Sequence, residues 1–153
     1  MRVLSVLIFL ILLLSGCRSD EEIAWERYRT NELGSREVRG EFIAAAEALS
    51  KVDFTVEKTA QVREMASSIV LIQKRRVTSL EAIGTHEQFT RKPHGLLLAA
   101  ERRLLNASLA LEAGLGINPL DAQRFRVHVS SFQEGLVEAD ELFLQYESKL
   151  PRP

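Results

Sequence analysis

The chain has 153 residues, of which 46% are hydrophobic, and its 20 basic residues are balanced by 21 acidic residues. A net charge of −1 excludes the strongly basic surface that marks a nucleic-acid-binding domain, and the length is sufficient for one domain with its own core. Because Cys17 is the single cysteine, the chain cannot form an internal disulfide.

The first predicted element is an export signal at residues 1–16. Met1 and Arg2 precede an apolar run, Val3 to Leu14, that is interrupted only by Ser5. This run is shorter than the roughly 20 residues that a membrane-spanning helix needs. It ends in small residues, as the apolar part of a cleavable signal peptide does.

The last residues of this stretch, Leu14-Ser15-Gly16-Cys17, resemble the lipobox of bacterial lipoprotein signal peptides. The resemblance implies that residues 1–16 are removed and that Cys17 becomes the first residue, with diacylglycerol on its thiol and an acyl chain such as palmitate on its amine. Several acyl chains hold a protein at a bilayer more firmly than one. Since Arg18 rather than aspartate follows, the resemblance also implies delivery to the outer membrane if the source has two membranes. The alternative is an uncleaved apolar anchor with an incidental cysteine.

Residues 17–34 are predicted to be the lipidated N-terminus followed by a short leading helix. Ser19 is the expected N-cap, and Glu22 completes a capping box. Trp25 and Tyr28 either lie at the level of the lipid headgroups, where amphipathic rings are favoured, or pack beneath the following domain. Both interpretations stay open on the sequence alone.

Residues 35–150 are predicted to form a helical bundle domain, because apolar residues recur there at three- and four-residue spacing. Gly84 is a natural end for the second helix, and residues 85–95, with Pro93 and Gly95, are predicted to be a polar loop. The core positions expected in the first two helices are Val38, Phe42, Ala45, Leu49, Val52, Val62, Met65, Ala66, Ile69, Ile72, Leu80 and Ile83.

The third helix is predicted from about Leu96 to Ala113, and the fourth opens at residues 118–121 (Asn-Pro-Leu-Asp), which suit a helix start. The core positions expected in these two helices are Leu97, Ala100, Leu104, Ala107, Leu111, Phe125, Val129, Phe132, Leu136, Ala139, Phe143, Tyr146 and Leu150. No segment alternates as a strand does. The sequence therefore predicts an all-α fold, an up-and-down four-helix bundle of long antiparallel helices.

This topology brings charged residues of three helices to one height near the predicted membrane-proximal end. Their functional interpretation is an anion site, because the planar guanidinium group suits phosphate and carboxylate. The favoured interpretation is ion pairing between helices. The residues are Arg75, Arg76, Arg102, Arg103, Asp140 and Glu141.

A second apolar stripe on the third helix, formed by Leu98, Leu105 and Leu109 beside Arg102, is the candidate partner-binding surface. The leading hypothesis is a non-catalytic protein-interaction or assembly module, a scaffold or pilotin-like chaperone. It would face the periplasm or cell exterior and bind another envelope protein. A passive structural component of the envelope is a minor alternative.

The alternative from a different class is a small-ligand or haem carrier that uses Met65 and His128, which the topology places at similar heights. The sequence predicts no catalytic residue, since it has no nucleophile elbow, glycine-rich phosphate loop or HExxH motif. It predicts no metal site either, because His86 and His94 are expected in a solvated loop. The covalent lipid on Cys17 is the sole prosthetic group expected, apart from haem under the alternative.

Overall fold

The computed structural model describes residues 19–84 and 88–151. The predicted signal, Cys17 and His86 lie outside the described residues. Within these ranges the chain is all-helical and has no strand, which confirms the predicted fold class. The helices are α1 (Asp20–Ser50), a 3₁₀ turn (Val56–Lys58), α2 (Thr59–Glu81), α3 (Gln88–Leu115) and α4 (Ala122–Glu147). In the part of the chain described here, no helix is both long and apolar enough to cross a membrane.

Helix α1 begins at the predicted capping box. The Ser19 hydroxyl accepts a hydrogen bond from the Glu22 N–H (3.2 Å), and the Glu22 carboxylate accepts one from the Ser19 N–H (3.0 Å). Acidic residues in the first turn are favourable at the positive end of the helix dipole. The helix then continues without a break to Ser50, so the short leading helix and the first bundle helix are one element. Trp25 and Tyr28 are buried in the core, as the packing interpretation expected.

Helix α3 begins earlier than predicted, so the prediction of a loop is wrong for residues 88–95. Pro93 lies inside the helix and has no N–H to donate to the Phe89 carbonyl, a loss that normally disfavours helix. The helix forms because Thr90, Pro93, His94 and Leu97 lie on one buried face. Burial of this face outweighs the weak local propensity of a proline and a glycine.

Helix α4 begins one turn later than the Asn-Pro sequence suggested. Asp121 is the N-cap, and its carboxylate accepts a hydrogen bond from the Arg124 N–H at 2.8 Å. Pro119 lies before the helix rather than in its first turn. The predicted heptad face of α4 is confirmed at its buried positions, which are Phe125, Val129, Phe132, Ala139, Phe143 and Tyr146.

The core is built from all four α-helices. Helix α1 packs on α2 and α3, α2 packs on α3, and α3 packs on α4. Helix α1 meets α4 through the edge-to-face pair of Phe42 and Phe132, whose ring centroids are 6.3 Å apart. Beyond the end of α1, Phe54 stacks on Phe125 with a centroid distance of 4.7 Å. The first and last helices therefore share one seam.

Candidate functional site

An apolar groove of about 330 Å³ lies in the seam between α1 and α4. Its floor is the part of the core that α1, α3 and α4 share, and Phe42 and Phe132 lie at its centre. The volume is at the lower end of the range of ligand-binding pockets. The apolar residues that line it are Phe42, Ile43, Ala46, Leu49, Leu104, Val129, Phe132, Leu136 and Phe143.

Exposed apolar side chains lie on both helices that flank the groove. Ile43 lines the groove and is 47% exposed, and Val137 and Leu144 are 64% and 66% exposed. Val137 and Leu144 each follow a groove-lining residue of α4, and their seven-residue spacing puts them on one stripe of the helix. Exposed apolar side chains on the helices that form an apolar groove are typical of an interaction site.

Three charged residues line the groove, Arg39 and Glu47 on α1 and Asp140 on α4, and Glu47 pairs with Lys51. The Arg39 guanidinium carbon lies 3.7 Å from the centroid of the Phe143 ring. Among the residues of 19–84 and 88–151, neither Arg39 nor Asp140 forms an ion pair within the chain. The Phe143 ring covers the face of the Arg39 guanidinium group, so the N–H groups at the edge of the guanidinium stay available to bind an anion.

A buried polar cluster lies on the other side of the core, where α1, α2 and α3 meet. Arg76 is 1% exposed, and its Nε donates a hydrogen bond to Glu101 Oε1 at 3.0 Å. Gln73 Nε2 donates to Glu101 Oε2 at 2.8 Å, and a terminal nitrogen of Arg76 lies 3.6 Å from a Glu32 oxygen. Within the described part of the chain, Arg76 Nη1 and Gln73 Oε1 have no hydrogen-bond partner.

A wider pocket of about 650 Å³ adjoins this cluster and contains both signs of charge. Arg36, Arg39 and Arg76 line it together with Glu32 and Glu147. Arg36 donates to Glu32 at 2.6 Å, and this hydrogen bond raises the pKa of Arg36 above its usual value. The pocket therefore resembles a network of internal ion pairs more than a free anion site.

The buried rings beside this pocket are held in their neutral forms. Burial lowers the pKa of His94, which lies with its Nδ1 3.5 Å from the Tyr28 hydroxyl. Burial also raises the pKa of Tyr28 and that of Tyr146, and each ring is influenced further by the other. Since the phenols stay protonated and the imidazole stays neutral at pH 7, they form an uncharged polar layer in the core.

The structure distributes the predicted layer of charges over three helix interfaces instead of bringing it together as one site. Arg75 pairs with Glu41 at 2.7 Å, Arg102 with Glu81 at 2.7 Å, and Arg103 with Glu138 at 3.0 Å. The side chains of these three arginines are more than half exposed, whereas Arg76 belongs to the buried cluster. Asp140 lies at the rim of the groove, and Glu141 is exposed on α4.

The predicted docking leucines of α3 are less exposed than the groove surface. Leu98 and Leu105 are half-buried, with Leu98 packed against the core, and Leu109 is 38% exposed. Sequence reasoning missed the groove. Val137 and Leu144 were a signal for it, because they repeat at seven residues outside the core face of α4.

The two residues of the haem alternative, Met65 and His128, lie on α2 and α4. Met65 is half-buried and packs against the core. His128 packs on α3, so closely that a Cβ added at Gly114 would overlap the His128 ring. His94, predicted in a solvated loop, is buried in the core. No group of three or more histidine, cysteine, aspartate or glutamate side chains in the described ranges could hold a metal ion.

Comparison with known proteins found no family model, no curated protein and no solved structure that matches this chain.

Proposed function

We propose that this protein is a lipoprotein of the bacterial envelope, anchored by Cys17, whose helical domain acts by binding another protein rather than by catalysis. It would face the periplasm or the cell exterior and, in a cell with two membranes, belong to the outer membrane. The observation that carries the proposal is the apolar groove between α1 and α4 with its exposed apolar border.

The finer architecture is part of the proposal: an up-and-down four-helix bundle of antiparallel helices. Contacts between α2 and α3 support it because the start of α2 contacts the end of α3, whereas the end of α2 contacts an earlier part of α3. Arg63 donates to the Leu115 carbonyl at 2.8 Å, whereas Glu81 pairs with Arg102. The contacts between α3 and α4 that reverse in the same way are Arg103 with Glu138 and Gly114 with His128.

The dimensions of the groove favour a helical partner surface. Its lining on α1 extends from Arg39 to Ser50, about 16 Å at 1.5 Å per residue, or three helical turns. An amphipathic helix of this length can place its apolar face in such a groove, a common mode of protein recognition. We therefore propose that the partner presents an amphipathic helical face.

Capture from detergent-solubilised envelopes tests this proposal. Full-length Ile43→Glu and Val137→Glu variants place a carboxylate at the border of the groove, and we expect each to lose the partner that the wild-type protein captures. The matched control is Leu71→Glu, because Leu71 is 62% exposed on α2, away from the groove. Leu109→Glu tests the α3 surface in the same experiment.

The same experiment has an outcome that would contradict the proposed docking surface. Circular dichroism of each variant should match that of the wild-type protein, since all of these positions are at least one-third exposed. If the groove variants and the Leu71 control capture the same proteins as the wild type, the groove is not the docking surface. Loss of capture by Leu109→Glu alone would assign docking to α3.

A further inference from the structure

We infer that the α1–α4 groove binds the same groove of a second copy of this chain, so that Arg39 of each copy pairs with the partner's Asp140. This inference rests on the proposed function, because it names the partner for that same docking surface. It starts from Arg39 and Asp140, the two charged groove residues that have no ion pair within the described parts of their own chain and whose charges have opposite signs.

Arg39 and Asp140 belong to the two helices that flank the groove, and they lie at similar heights along it. Arg39 stacks on the Phe143 ring, and Asp140 precedes Phe143 by three residues, less than one helical turn of α4. A two-fold axis parallel to the helices therefore brings α1 of one copy opposite α4 of the other at the same height. Arg39 then faces the partner's Asp140 on one side, and Asp140 faces the partner's Arg39 on the other.

The geometry of Arg39 suits this pairing. Its guanidinium face is occupied by Phe143 at 3.7 Å, which restricts the side chain before binding. Its N–H edge can donate to a carboxylate without leaving the ring, since guanidinium groups stack through their faces and donate through their edges. Ordering the side chain in advance lowers the entropic cost of forming the pair.

The apolar border is self-complementary under the same axis. Ile43 on α1 comes opposite the stripe of Val137 and Leu144 on the partner's α4, and all three are exposed apolar residues of the two helices that flank the groove. Each surface then covers the other, as an isologous interface requires. Two α1–α4 pairs facing each other in this way enclose both grooves as the inside of a helix bundle does.

A membrane anchor on each copy is compatible with this axis. It excludes an antiparallel arrangement of the two copies, because that arrangement places the anchors at opposite ends of the dimer. Helix α1 begins three residues after Cys17, so a two-fold axis parallel to α1 keeps both anchors at the same end of the dimer. The groove is only about three helical turns long, and two copies tethered to one membrane meet at a high effective concentration that compensates for a small interface.

Charge reversal in differently tagged full-length copies tests the inference. The copies are expressed in the same cells, cross-linked with formaldehyde before extraction, and scored by co-purification. In a pair of Arg39→Asp copies aspartate faces aspartate, and in a pair of Asp140→Arg copies arginine faces arginine. We expect each of these like-charged pairs to co-purify about tenfold less than the wild-type pair. An Arg39→Asp copy with an Asp140→Arg copy restores both ion pairs, and co-purification should recover.

Recovery in the mixed pair cannot come from contacts within one chain or from improved folding. The matched controls are Lys74→Asp and Glu64→Arg, which make the same charge changes at exposed positions on α2, a helix that does not line the groove, and they should co-purify as wild type does. Like pairs that co-purify at the wild-type level, or a mixed pair that does not recover, would overturn the inference.

The capture experiment separates this failure from failure of the proposed function. If charge reversal has no effect but Ile43→Glu still abolishes capture of an envelope protein, the groove docks a different protein and the second-copy inference is wrong. If neither the charge variants nor Ile43→Glu has an effect, both proposals fail.

Discussion

Arg76 and Arg75 are adjacent in the sequence but have opposite environments. Arg75 pairs with Glu41 on the surface, where both side chains are more than half exposed. Arg76 is 1% exposed; it pairs with Glu101, which is fully buried, and more distantly with Glu32, whose side chain is 5% exposed. Removal of one partner from a buried ion pair leaves an uncompensated charge in a low-dielectric interior.

We therefore expect Arg76→Met to lower the free energy of unfolding by about 3–5 kcal/mol. Arg75→Met removes the same charge from the neighbouring position and should cost at most about 1 kcal/mol, because exposed ion pairs contribute little. Urea denaturation followed by circular dichroism measures both. Equal losses for the two variants would show that the buried cluster does not depend on its arginine.

The position of Arg76 in the core was accessible from the sequence, although the prediction treated it as one of four similar arginines. Arg76 follows Ile69 by seven residues and precedes Leu80 by four, so it lies on the core face of α2. Gln73 follows Ile69 by four residues and lies on the same face. Periodicity identifies this face, but it does not supply the partner, since Glu101 and Glu32 come from other helices.

At the scale of the helix, the contact between α3 and α4 depends on a glycine. The His128 ring lies where the Cβ of any other residue at position 114 would be, and its Cε1 would be 2.5 Å from that atom. Gly95 is in the same helix, and a Cβ there would meet nothing within 4 Å. A substitution at Gly95 therefore reports the effect of helix propensity alone, whereas a substitution at Gly114 also reports the effect of packing between α3 and α4.

We expect Gly114→Ala and Gly95→Ala to change stability in opposite directions. Gly114→Ala should destabilise the protein by about 1–3 kcal/mol, because His128 or the helix must shift. Gly95→Ala should stabilise it by about 0.5–1 kcal/mol, since alanine loses less backbone entropy in a helix. Thermal unfolding measures both, and His128→Ala should relieve the cost of Gly114→Ala. A destabilisation that persists in that double variant would contradict the proposed contact.

The sequence predicted features of the helices correctly where these features depend only on neighbouring residues. The capping box of Ser19 and Glu22 and the heptad face of α4 were both found, since each depends on residues close in sequence. The start of α3 was missed because burial of Thr90 and His94 against other helices overrides the proline between them. The groove was missed for a related reason: a seam between the first and last helices depends on how the whole chain closes.

At the scale of the whole molecule, the proposal joins a binding surface to an anchor. The groove lies between the helix that follows Cys17 and the helix that completes the domain. If Cys17 carries the proposed lipid, the anchor fixes one end of α1 at the bilayer, and a helix that stands upright from it presents the groove sideways along the membrane. Such a surface can meet proteins held in the same membrane, including further copies of this chain.

The anchor itself is tested by the chemistry of the N-terminus. If residues 1–16 are a lipoprotein signal, the N-terminal peptide of the membrane-bound protein begins at Cys17 and carries acyl chains, which mass spectrometry detects as added mass. Cys17→Ser removes the thiol that accepts diacylglycerol, so we expect that variant to retain residues 1–16 without lipid. Ser5→Ala, which changes the apolar run and leaves the lipobox intact, should be processed normally. A wild-type protein that retains its first sixteen residues and a free Cys17 thiol would contradict the anchor, and the sideways presentation of the groove would lose its physical basis.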